Sequence, residues 1–267
     1  MAAAHGITGS VASWANNTFL IASGAADASF TASLVSTLDE STPFSPLNNT
    51  ATGLPGFKSF SGTITSVIDT AVLGTGGGVT ATAPNYLVTG SRKWTLTLTR
   101  GAVEHIAFPG LTGPYYREYL PTIMRWSGTF EGVLDDTNPA VEPADPNDSP
   151  NLADLTLTVA TGKTFTGKAH LTEFAPAVDP NEINTFSCQF AGSSTLTALG
   201  SFLFQSATST PIVPSLDPSG DALVLVATGL RTYTIDAFWT RITINCALDE
   251  VVTADIDFQG TGPLTIG

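Results

Sequence analysis

The residues able to do chemistry in this chain stand apart from one another. The three histidines, His5, His105 and His170, are separated by 100 and 65 positions (105 − 5 and 170 − 105) and have no metal-ligand spacing. No Gly-x-Ser-x-Gly elbow occurs, and neither Cys188 nor Cys246 has a histidine partner in a nucleophile pattern. Gly74-Thr75-Gly76-Gly77-Gly78 has the glycines of a phosphate loop, but lacks the Gly-Lys-Ser/Thr ending and a following helix, so a turn is expected. Twenty-three acids offer carboxylate pairs at many spacings, and no pair is singled out for glycosidase work. Asp135, Asp136, Asn138, Asp145, Asn147 and Asp148 supply hard oxygen ligands of the kind calcium takes, without EF-hand spacing; a solvated loop is the plainer reading. No catalytic, cofactor-binding or metal-binding residue is assigned, and an enzyme is not expected.

Trp94, Trp126, Tyr115, Tyr116 and Trp239 would suit a sugar-stacking platform, or else belong to a core. The second alternative is favoured by a repeat. Residues 58–70 (KSFSGTITSVIDT) align with 124–136 (MRWSGTFEGVLDD), placing Phe60 on Trp126 and Ser61-Gly62-Thr63 on Ser127-Gly128-Thr129. Upstream, 28–44 aligns with 92–108, placing Phe30 on Trp94 and Leu34 on Leu98. The offset is 64 residues at the start of these front blocks and 66 at their end, which one longer loop in the second copy would supply. A second pair, the back blocks, aligns 182–192 (EINTFSCQFAG) with 250–260 (EVVTADIDFQG), placing Phe190 on Phe258. Apolar residues alternate with Thr and Ser throughout, the pattern of half-buried strands. The nearest approach to a helix is Tyr115–Met124, which Pro121 interrupts. The expected class is therefore all-β, a sandwich or barrel with internal duplication.

The block order is front, front, back, back. Two arrangements give it: one unit (86–200) inserted into another (1–85 plus 202–267), or strands exchanged between halves. Exposed loops are expected at 74–84, 135–150 and 208–220, where Gly, Pro and Asp concentrate.

Composition narrows the function classes. The net charge is −13, so a grip on nucleic-acid phosphates is not expected, although a surface that lets DNA slide past is compatible with it. Charged residues make up 12% of the chain, about half the usual share, which suggests a surface covered by neighbouring subunits. No apolar run reaches the roughly 20 residues of a membrane helix, and the amino terminus lacks a signal's basic and apolar regions. Sequons at Asn16, Asn48 and Asn147 matter only in a secretory protein. Two cysteines in apolar strand settings read as buried thiols made in a reducing cytoplasm.

Segments 125–139 (RWSGTFEGVLDDTNP) and 247–265 (ALDEVVTADIDFQGTGPLT), with Glu40–Phe44 and Phe60–Asp69, resemble the tail tube (major tail) proteins of long-tailed bacteriophages. Phe258-Gln259-Gly260-Thr261-Gly262 is similar to that family's Phe-x-Gly-x-Gly ending, and Phe190-Ala191-Gly192-Ser193-Ser194 departs from it in the last glycine. The resemblance implies a virion protein of the tail, assembled in the host bacterial cytoplasm. Its rings would stack into a hollow tube, alongside other tail proteins, with an acidic lumen that passes phage DNA without specific binding. The family's rings are six-fold. Here the doubled blocks imply that three chains supply six equivalent units, the alternative being a hexamer. A capsid or tail decoration domain, or a carbohydrate-binding β-sandwich, is the competing reading; no cofactor and no membrane partner is expected.

Overall fold

A computed structural model describes residues 3–9, 11–15, 20–21, 29–41, 52–67, 79–83, 86–88, 91–105, 116–133, 152–160, 162–201, 205–212, 220–227, 230–248 and 250–267. The first part of the chain forms β1 (Ala3–Gly9), β2 (Val11–Ala15), β3 (Leu20–Ile21), β4 (Ser29–Ser41), β5 (Thr52–Val67), β6 (Val79–Ala83) and β7 (Tyr86–Val88). Two long strands come next, β8 (Ser91–His105) and β9 (Glu118–Val133). Then come β10 (Leu152–Ala160), β11 (Lys163–Ala177), β12 (Thr185–Gly192), β13 (Thr197–Ser201) and β14 (Gln205–Pro211). The last three are β15 (Asp221–Ala227), β16 (Arg231–Ala247) and β17 (Thr253–Ile266).

The chain is all-β. Its named strands pair antiparallel in one large sheet that is open, not closed into a barrel. The central run is β1-β4-β5-β17-β16-β8-β9-β12-β11. The first front hairpin is thus joined to the second back hairpin, and the second front hairpin to the first back hairpin.

The internal repeat extends to the register of pairing. In β4–β5, Phe30 faces Ile64, Ala32 faces Gly62 and Leu34 faces Phe60. In β8–β9 the aligned residues do the same: Trp94 faces Phe130, Leu96 faces Gly128 and Leu98 faces Trp126. Both hairpins carry a bulge at the same place, between Ser36 and Leu38 and between Arg100 and Ala102, with Leu38 then opposite Pro55 and Ala102 opposite Pro121. The two-residue drift falls in the connections, which run over 42–51 and 106–117. The pairing of front to back repeats as well: Phe258 faces Gly62 and Phe190 faces Gly128.

A bulge adds one residue to one strand, bends it and strengthens its twist. Strands β10 and β11 lie over the apolar face of β8 at Trp94. The Trp94 indole N–H donates to the Thr158 carbonyl at 3.1 Å, and its ring meets Phe165 edge-on at 6.2 Å. Trp126 likewise donates to the Ser194 carbonyl at 2.7 Å. A continuous core results, built from Trp94, Trp126, Trp239, Phe60, Phe130, Phe190 and Phe258 with the aliphatic residues between them.

Three sequence readings change. The segment containing Pro121 is strand, because the proline sits opposite Ala102 beside the bulge, where the ladder is already interrupted. Val79–Ala83, placed in a Gly-rich loop, is a strand paired with β10 on one side and β7 on the other. Gln205–Pro211, overlapping the expected 208–220 loop, is strand β14, paired with β13. The glycines at 74–78 and the acidic loop at 135–150 lie outside the described residues.

Candidate assembly interface

Two glycine–aromatic locks explain why the repeated motifs contain glycine. A Cβ on Gly128 would lie 2.0 Å from the Thr95 carbonyl oxygen and 2.6 Å from Cζ of Phe190. A Cβ on Gly62 would lie 2.2 Å from the Thr31 carbonyl oxygen and 2.8 Å from Cζ of Phe258. The glycine of each Ser-Gly-Thr therefore makes room for the phenylalanine of the back block that pairs with it. Gly192 reciprocates, for a Cβ there would fall 2.0 Å from Cε2 of Trp126. Each front motif is thus half of a joint whose other half is the Phe-x-Gly of a back motif.

The opposite face of the sheet is a carpet of hydroxyls and amides. Thr63 donates to Asp257 at 2.8 Å and Thr65 to Asp255 at 2.8 Å; Thr95 and Thr129 share a bond of 2.9 Å, and Gln189 donates to Glu173. Asp257 also pairs with Arg241 at 2.9 Å. The charges here are mixed: Glu131, Glu173, Asp255 and Asp257 stand with Lys93, Arg125 and Arg241 on strand positions that alternate with the core. Asp135, Asp136, Glu142, Asp145 and Asp148, close together in sequence, lie outside the described residues.

Between the two halves runs the β16–β8 ladder, pairing Arg241 with Thr99, Ile242 with Leu98, Thr243 with Thr97 and Cys246 with Trp94. On its inner side Arg100 is buried. Its guanidinium carbon lies 4.4 Å from the Trp239 ring centroid and 5.1 Å from that of Phe238, and its Nε–H donates to the Trp239 carbonyl. Burial lowers its pKa to about 10, with Asp221 acting in the opposite direction, so the cation persists at neutral pH.

The sequence candidates are dispersed. Trp94, Trp126 and Trp239 are buried and present no sugar-stacking surface, whereas Tyr116 is half-buried with Lys58 over its ring at 6.0 Å. His170 lies on β11, while His5 and His105 lie on β1 and β8. Among the described residues no group of three or more His, Cys, Asp or Glu is placed to hold a metal ion, and no helix is long and apolar enough to cross a membrane. Sequence reading missed the β16–β8 ladder, because the alternating apolar runs 94–98 and 242–246 mark two strands without specifying that they pair. No protein-family model matches the chain, and no curated protein matches it.

Cys188 and Cys246 are free and buried. Burial, reinforced by Glu173, raises the Cys188 thiol to about 12, and burial raises Cys246 to about 11. Neither thiol is expected to react with iodoacetamide at pH 8 in the native protein, and both should react in denaturant. Native labelling at the rate of the unfolded chain would contradict their burial. Because the folded-state pKa values are raised, the thiols' contribution to stability is constant below about pH 9, the ordinary cysteine value. It is lost as pH rises from there through about 11 and 12. Replacing both cysteines by alanine should therefore flatten the alkaline limb of a stability–pH curve.

Proposed function

We propose that the chain is a structural subunit of a phage-type tail tube, assembling into stacked hollow rings, with 86–200 nested in a unit made of 1–85 plus 202–267. The observation that carries this reading is the repeated register. Two front hairpins and two back hairpins make the same glycine–phenylalanine pairings, so one chain supplies two equivalent building blocks already joined edge to edge. Such a joint is heterologous, and repeating it between copies generates a ring when the rotation closes. Closing an open sheet through neighbours also removes its free edges. Three chains then provide six units. The Thr- and Ser-rich face is suited to line the lumen, because neutral hydroxyls and mixed charges offer phosphates no continuous cationic track. Its other partners would be further tail proteins, and DNA would be a passenger.

Electron microscopy of the concentrated protein tests this. End-on class averages are expected to be hollow rings, or tubes in side view, with three chains per ring and pseudo-six-fold density; six chains per ring would replace the trimer with a hexamer. Dispersed small particles at every concentration would sink the proposal and favour a decoration module.

A further inference from the structure

β11 outruns its neighbour. Its partner β10 ends at Leu152 opposite His170, and among the described residues no strand pairs with 173–177 on that side. The aligned strand β16 is built alike: β15 ends at Asp221 opposite Ala237, and the stretch beyond, from Arg241 to Ala247, is where β8 docks. Translating that internal ladder by the repeat offsets, 68 for the back blocks and 64 for the front, gives its counterpart. Thr243 opposite Thr97 becomes Ala175 opposite Ser33, and Ile242 opposite Leu98 becomes Phe174 opposite Leu34.

Within one chain that edge of β4 is not open. β1 pairs along it, with Ala4 opposite Val35, Gly6 opposite Ser33 and Thr8 opposite Thr31. β1 thus occupies on β4 the place that β16 occupies on β8. A single residue separates β1 from β2, which is anchored separately on β15 through Val11 to Trp14. β1 can leave without unseating β2.

We infer that β1 is a stand-in strand, displaced when β11 of a second copy docks on β4 with Glu173 opposite Val35, Ala175 opposite Ser33 and Ala177 opposite Thr31. The inference rests on the self-assembly reading above and names its joint. The exchange keeps the subunit's edge covered until a register-matched strand arrives, which limits indiscriminate edge pairing. Pro176 adds to this protection, because it lacks an N–H and withholds one donor from any strand that meets it.

Disulfide trapping in the full chain tests the exchange. A Ser33→Cys/Ala175→Cys variant, oxidised during assembly, is expected to give ladders of covalent dimers and higher species on non-reducing gels. The Thr97→Cys/Thr243→Cys variant should cross-link within one chain, calibrating the geometry. A Thr8→Cys/Thr31→Cys variant tethers β1 to β4; oxidised, it should lose ring formation, and reduction should restore it. The reduced form of the same protein controls for folding. Rings that form equally from the oxidised tethered protein, with no 33–175 cross-link, would overturn the exchange and leave the tail tube reading standing. Failure of the untethered and reduced proteins alike to form rings would overturn both.

Discussion

Replacing Gly128 with alanine should destabilise the protein by ~3 kcal/mol or more, the upper part of the range for overpacking a closed core. The added methyl would sit 2.0 Å from the Thr95 carbonyl oxygen, which is backbone and already committed to the β8–β9 hairpin, as well as 2.6 Å from the Phe190 ring. A ring can swing aside, but a strand cannot move without breaking its ladder. Shortening the ring in the double variant Gly128→Ala/Phe190→Leu should therefore recover little of the loss, and a double-mutant cycle in urea measures how little. Gly62→Ala should behave alike, since its methyl would meet the Thr31 carbonyl oxygen at 2.2 Å. Gly162 gives the contrast. Its φ is +72° with nothing within 4 Å of an added Cβ, so Gly162→Asn, which tolerates that conformation, should cost under about 1 kcal/mol. A Gly128→Ala protein with wild-type midpoint would remove the crowding explanation of the Ser-Gly-Thr motif.

The second large effect is expected at Trp126. Its indole N–H donates to the Ser194 carbonyl at 2.7 Å, its ring packs 6.0 Å from Phe190, and it fills the space over Gly192 and Gly167. Truncation to alanine removes that burial and strands the carbonyl, for a loss of about 4 kcal/mol. In a chain of this size such a loss lowers the melting temperature by roughly 10 °C. Trp126→Phe retains most of the apolar area and loses the hydrogen bond, so its cost should be near the ~1 kcal/mol of one such bond plus incomplete filling. Thermal denaturation of both variants separates packing from hydrogen bonding. A surface role for the tryptophan, as in sugar stacking, predicts instead that both variants melt near wild type.

The two predictions concern the same joint from opposite sides. Gly128 is open so that Phe190 can lie over it, and Gly192 is open so that Trp126 can. Neither residue pair is adjacent in sequence, yet each motif is intelligible only through the other. The same holds for Gly62 and Phe258, in the part of the chain where the glycine comes near the start and the phenylalanine near the end.

Strand identity and duplication were legible in the residues themselves. Side chains alternate faces along a strand, so Trp94-Thr95-Leu96-Thr97-Leu98 declares both its conformation and its buried side before any partner is known. The front and back alignments were equally legible, because the same packing problem solved twice leaves the same residues at the same spacing: Phe30 and Trp94, Phe190 and Phe258. What alternation cannot carry is the identity of the neighbouring strand. A period of two fits any partner equally well, so the pairing of β16 with β8, of β6 with β10 and of β1 with β4 had to come from the three-dimensional arrangement. Pro121 and Ala102 show the same limit locally, since a proline that would end a helix is accommodated beside a bulge whose position depends on the opposing strand. Residue order alone set which faces are apolar and established that the chain is built twice. Which edges meet was settled in three dimensions, because the backbone hydrogen bonds that join strands are the same for nearly every residue type.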